Sequence, residues 1–115
     1  MVKIPFIIEK YSGYVIFRLK ASLHSAEIVQ LRKDVLKSSR QANWVVFDLA
    51  EIKYLYSAAL GFIVFINKQL QEKGSELCLI NINENLALQF DSVGFPNLVK
   101  AFPNEKIFIQ EAKLG

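Results

Sequence analysis

The stretch WVVFDLAEIKYLYSAALGFIVFINKQLQEKGSELCLINI, Trp44 to Ile82, decides the fold. It opens on Trp44–Leu49 (WVVFDL), a nearly continuous apolar run. Such a run suits a central strand covered on at least one face, often in a parallel arrangement. It closes on Leu77–Ile82 (LCLINI), a second run of the same kind. Between them, Ser57–Lys73 contains no proline and stops at Gly74, the residue expected just beyond a helix C-terminus. Leu60, Ile63, Leu70 and, more obliquely, Ile66 form the expected inward stripe of that helix.

Working outward, Ile4–Ile8 and Tyr14–Leu19 (YVIFRL) are rich in β-branched and aromatic residues, and Ser12-Gly13 supplies a turn, so a hairpin is predicted. Ser25–Ser38 (SAEIVQLRKDVLKS) places Ile28, Leu31, Val35 and Leu36 near helical spacing. Ser25 is the expected N-cap, and Glu27 and Lys37 complement the helix dipole. Downstream, Asn83–Val93 reads as a shorter helix, with Asn83 as its cap and Leu86, Phe90 and Val93 on one side. Gly94-Phe95-Pro96 closes it, and Leu98-Val99 can start another turn. Lys106–Gln110 (KIFIQ), after the Pro103-Asn104 turn, is expected as a final short strand or extended arm. The order β-β-α-β-α-β-α-(β) implies one α/β domain over residues 1–115, a mixed sheet with helices packed on it.

Composition narrows the function. The chain has 115 residues, 52% hydrophobic and 22% charged, enough to bury a sizeable core and far from a disordered composition. Its longest apolar run, Ala58 to Ile66, is about half of the roughly 18 residues a membrane span needs. The N-terminal residues lack the apolar core and cleavage site of a secretion signal. Cys78 is the only cysteine and lies in an apolar run, so a reducing, cytoplasmic setting is expected. The net charge of +3 is mild, and Arg32, Lys33, Lys37 and Arg40 are offset by Asp34 and Glu27. No basic stripe with interleaved aromatics points to nucleic acid.

Catalysis finds no support either. His24 is the only histidine, Ser57 has no G-x-S-x-G context, and Asp48, Glu51 and Asp91 form no dense cluster. One Cys and one His cannot build a structural zinc site, and no phosphate-binding glycine loop is present. No catalytic residue, metal or cofactor is expected. Ser57 is the exception to a bland surface. As an N-cap its hydroxyl would contribute about 1 kcal/mol relative to alanine. A helix start also favours negative charge, so a phosphate there is physically tolerable.

The order of elements and three consecutive blocks resemble the STAS domain, the family of bacterial anti-sigma factor antagonists and their relatives. The blocks are WVVFDLAEIKYL, YSAALGFIVFINKQLQEKGSELCLINI and LALQFDSVGFPNLVKAF, in which Asp48, Leu60, Gly61, Gly74 and Gly94 fall where the family pattern expects them. The resemblance implies that Ser57 is the serine phosphorylated by a cognate anti-sigma kinase. It also implies that the unphosphorylated form binds that kinase and releases the sigma factor. The motif departs from the family pattern at three places: Tyr56 stands at the aspartate, Ala58 at a small hydroxyl residue, and Ala59 at a glycine. The earlier acidic turn reads Ala21-Ser22-Leu23-His24.

The expected partner-binding set is therefore Ser22, His24, Tyr56, Ser57, Ala58 and Ala59, extended by Phe62 at the edge of the helix stripe and Phe65 opposite it. The partner expected is an anti-sigma factor or serine kinase, or another signalling protein, with no nucleic acid and no direct membrane insertion. The alternative is a constitutive STAS-like scaffold or accessory subunit of a stress-sensing or transport complex, working without phosphorylation.

Overall fold

Strand β1 (Phe6–Tyr11) turns directly into β2 (Tyr14–Leu19), and the two pair antiparallel with Tyr11 opposite Tyr14. Gly13 makes that turn at φ +88°, and a Cβ there would come within 2.9 Å of Leu114 Cδ2. The computed structural model describes residues 6–20, 23–94 and 97–114. Ile4 and Pro5, placed in the first strand by the sequence pattern, lie outside them.

Helix α1 (Ser25–Ser38) leads through a short 3₁₀ turn (Ser39–Gln41) to β3 (Trp44–Asp48), which lies parallel to β2. Helix α2 (Ser57–Glu72) leads to β4 (Glu76–Ile80), parallel to β3, and α3 (Glu84–Ser92) to β5 (Lys100–Phe102), parallel to β4. The sheet order is thus β1-β2-β3-β4-β5. Every crossover steps the same way across the sheet. Right-handed connections then put α1, α2 and α3 on one face.

Strand alternation supplies both cores. Val15, Phe17, Leu19, Val45, Phe47, Leu77 and Leu79 pack with Leu31, Val35, Ile63, Ile66 and Leu70 of the helices. Tyr14, Ile16, Val46, Cys78 and Ile80 point to the other face, where Phe108 joins them. This is why the parallel strands read as unbroken apolar runs: both faces are buried. Cys78 is fully buried, and that burial pushes its thiol well above the usual range.

Lys106–Gln110 is not a strand. It lies in a fourth helix, α4 (Glu105–Glu111), whose Phe108 closes the second core against Tyr14, Trp44 and Phe102. Asn104 caps it by accepting from the Ile107 N–H at 2.9 Å, and Glu105 sits in its first turn. The β-branched and aromatic run in KIFIQ suggested a strand, but the Asn cap and the acidic first turn decide for helix. The last strand is instead Lys100–Phe102, too short to carry a period of its own.

The buried stripe of α2 is Ala59, Phe62, Ile63, Ile66, Asn67 and Leu70, with Leu60 only partly buried. Asn67 is a polar residue inside this stripe, and both ends of its amide are used. Its Nδ2 donates to the Leu98 carbonyl at 3.2 Å, and its Oδ1 accepts from the Leu77 N–H at 3.1 Å. One side chain therefore fixes the start of β4 and the approach to β5.

Candidate interaction site at the start of α2

The connection from β3 to α2 begins at Asp48, whose carboxylate is almost buried. Its Oδ2 accepts from Arg18 Nη1 at 2.8 Å, and its Oδ1 accepts from Asn81 Nδ2 at 2.9 Å and the Ala50 N–H at 3.0 Å. Burial alone would raise the Asp48 pKa. The bonds from Asn81, Ala50 and Arg18 outweigh it and hold the group below the usual carboxylate range. Asn81 itself sits at φ 61°, in the left-handed region that asparagine tolerates better than most residues.

Arg18 does more than hold Asp48. It also pairs with Glu9 of β1 (2.8 Å) and Glu105 of α4 (3.1 Å), so one guanidinium joins three strands and a helix. Hydrogen bonds from Arg18 and from the Tyr11 hydroxyl lower the Glu9 pKa to about 2. Burial and the bond to Glu105 push Tyr14 up to about 12.

Beyond Asp48 the Leu49 N–H makes one more bond to β4, at the Ile80 carbonyl (3.0 Å). After the turn closed by the Ile52 N–H on the Leu49 carbonyl (3.0 Å), the chain is held by side chains. Ile52 and Leu55 are buried anchors, while Lys53, Tyr54 and Tyr56 point outward. Asn83 uses both ends of its amide: Oδ1 caps α3 at the Leu86 N–H (2.9 Å), and Nδ2 donates to the Ile52 carbonyl (2.8 Å). Gln89 of α3 brackets Leu55, accepting from its N–H at 3.3 Å and donating to its carbonyl at 2.5 Å. Lys20 and Glu51 pair at 2.5 Å on the surface alongside.

At the other end, Ser57 is the first helical residue rather than the cap. Tyr56 occupies the N-cap position with extended backbone, and no side chain caps the helix. The Ala59 and Leu60 N–H groups bond to the Tyr56 carbonyl. Those of Ser57 and Ala58 find no acceptor among the described residues, as the geometry of a helix start dictates. The Ser57 side chain is exposed beside them.

Helix α1 begins the same way. His24, not Ser25, holds its N-cap position, again without a side-chain cap. The His24 ring lies 5.0 Å from that of Tyr56, and Tyr54 meets Tyr56 edge-on at 5.4 Å. Tyr54 is 53% and Tyr56 46% exposed, so three rings gather at the surface where two uncapped helices start.

Of the residues expected to meet a partner, His24, Tyr56, Ser57 and Ala58 are exposed and come together here. Ala59 and Phe62 do not belong with them: both are buried, facing the sheet. The Ala59 methyl therefore fills core. Phe65 is 50% exposed but lies two turns along α2, under the Arg32 guanidinium at 5.8 Å. Ser22 lies outside the described residues.

The sequence reading missed Tyr54, Gln89 and the second role of Asn83. The amide-rich NINEN run (Asn81–Asn85) was a signal for Asn83 alone. Among the described residues no group of metal-ligating side chains forms, and no helix is long and apolar enough to cross a membrane.

Known proteins resemble the chain along nearly all of its length. The anti-sigma F factor antagonist of Paenibacillus polymyxa is 26% identical over 99 residues, 84% of this chain and 85% of that one. The Thermotoga maritima protein TM1081 superposes with a TM-score of 0.83 at 20% identity, covering 94% of each chain. The anti-sigma factor antagonist SpoIIAA in its unphosphorylated form superposes at 0.77 and 14% identity, covering 96% of this chain and 98% of its own. The family model of the STAS domain matches residues 6–107, spanning the hairpin, the three crossovers and the turn before Ser57, and the chain belongs to the STAS domain family.

Proposed function

We propose that the protein is a non-enzymatic interaction module of the anti-sigma factor antagonist kind. It binds an anti-sigma factor or serine kinase through the turn and helix start around Ser57, and phosphorylation of Ser57 regulates that binding. The observation that carries the reading is the exposed Ser57 side chain at the start of α2, beside two backbone N–H groups that have no acceptor among the described residues. A phosphate there would meet open donors and the positive end of a sixteen-residue helix. It would add roughly −1.5 to −2 charge to a surface that now presents aromatic rings, reversing its character for a partner. The similarity to the anti-sigma F factor antagonist of Paenibacillus polymyxa supports the same role.

The test is incubation with the candidate partner kinase and ATP, followed by intact mass. One added phosphate on the wild type and none on Ser57→Ala is the expected result. Equal incorporation in both proteins would remove Ser57 as the switch.

One observation favours a second reading, constitutive binding without phosphorylation in a scaffold or accessory subunit. The His24–Tyr56–Tyr54 cluster gives the site an apolar contact surface that does not depend on the Ser57 hydroxyl. Partner capture separates the two. Loss with Ser57→Asp alone supports the switch, whereas equal recovery with Ser57→Ala and Ser57→Asp supports constitutive binding.

A further inference from the structure

Between the turn at Ile52 and the first bonds of α2 at the Tyr56 carbonyl, the stretch that delivers Tyr54, Tyr56 and Ser57 to the surface belongs to no strand or helix. What holds Leu55 in place is the Gln89 amide, which satisfies both backbone groups of that residue. The Leu55 side chain is fully buried. Without Gln89, its N–H and carbonyl would lose the partners they have among the described residues, at the edge of the core, a state that folded chains avoid. In effect the Gln89 amide replaces the neighbouring strand that this stretch lacks.

The consequence reaches further than Leu55. Tyr54 and Tyr56 flank it on either side and point outward as it points inward. The Tyr56 carbonyl then accepts the first two hydrogen bonds of α2, from Ala59 and Leu60. The bearing of Leu55 thus sets both the splay of the tyrosines and the first turn of the helix behind Ser57. Asn83 adds a second tie at Ile52, and both amides project from α3 or its cap.

We infer that Gln89 is a positioning residue for the interaction site: from α3 it fixes the backbone that presents Tyr54, Tyr56 and Ser57, and α3 and the site move as one unit. This assignment concerns presentation of the surface. Its link to partner binding rests on the function proposed above.

Amide hydrogen exchange tests it without a partner. Gln89→Met keeps the length of the side chain and removes donor and acceptor together. Gln89→Glu keeps an acceptor for the Leu55 N–H but loses the donor to its carbonyl. In the Met variant, exchange at Leu55, Ala59 and Leu60 should quicken by about tenfold, the effect of losing two ordinary hydrogen bonds. Sheet amides in β2 and β3 should quicken only as far as the drop in stability measured by urea unfolding requires, and the Glu variant should fall between. Exchange within twofold of wild type at all three positions overturns the assignment. Should the Met variant not fold, the Glu variant decides alone: wild-type rates at Ala59 and Leu60 refute the inference. Absence of phosphate on wild-type Ser57 in the kinase assay would count against the proposed function and leave these exchange results standing.

Discussion

Asp48 and Ser57 end the same connection in opposite ways. At the Asp48 end every polar group is matched: a guanidinium, an amide and a backbone N–H share one carboxylate. At the Ser57 end the helix starts with no side-chain cap and with two amides that find no acceptor among the described residues. Where this chain needs only a stable helix start it uses asparagine, as Asn83 does for α3 and Asn104 for α4. The two helices that lack such caps, α1 and α2, begin side by side with His24 against Tyr56. Stability has been left unused where the surface is free to act, which is how functional sites commonly sit within a stable frame.

The sharpest way to break this contrast is at the closed end. Arg18→Met should cost about 2 kcal/mol, because it strands a nearly buried carboxylate and unties Glu9 and Glu105 as well. Urea unfolding measures it. The same variant should alter the response to acid. The folded Glu9 carboxyl, at about 2 against an ordinary 4.5, binds its proton less readily than the unfolded one. Its contribution is therefore complete above about 4.5 and is lost as pH falls towards 2, and the lowered Asp48 acts in the same direction. Wild-type stability should decline through that window, and Arg18→Met should flatten the decline.

Next in size is Asn83→Ala, which removes a helix cap and the Ile52 tie together. A loss of about 1.5 kcal/mol is expected in thermal or urea unfolding. At the open end the effects shrink and change sign. Ser57→Asp should stabilise by about 0.5 kcal/mol at low ionic strength, and the gain should fade with added salt, because the new charge faces the positive end of α2. Ser57→Ala should change stability by less than about 0.5 kcal/mol, since the hydroxyl caps nothing. A loss near 1 kcal/mol would show that Ser57 caps the helix in solution and that this end is less open than described.

The fold was legible because its strongest signals were periodic or positional. Unbroken apolar runs marked β3 and β4, and Gly74 takes the positive φ (84°) its place after α2 called for. Asn83 likewise caps α3 as its position suggested. Lys106–Gln110 misled because so short an apolar run reads alike as a strand and as a piece of buried helix, and the cap residue outside it settles the matter. The stripe of α2 was right at Ile63, Ile66 and Leu70, but it took Leu60, which is only partly buried, and left out Ala59 and Phe62, for a related reason. Residues 58–66 are apolar all round apart from Gly61, so nothing there marks the edges of the stripe, and Asn67, although polar, is buried. In the site, Ser57 and its neighbours could be found from local sequence. Arg18, Asn81 and Gln89 could not, since their roles arise from register and from packing between elements distant in the chain.

The lone thiol gives this molecule a built-in reporter. Cys78 lies in the middle of β4, in the core closed by Phe108 of the seven-residue helix α4. Alkylation needs an accessible thiolate, and burial denies both access and ionisation. Its reaction with a maleimide therefore reads how often α4 lifts or the sheet opens, a clock set on the face opposite the interaction helices. Partner binding that slows this clock would mean that the far face of the sheet feels events at Ser57, and an unchanged rate would confine those events to the helical side.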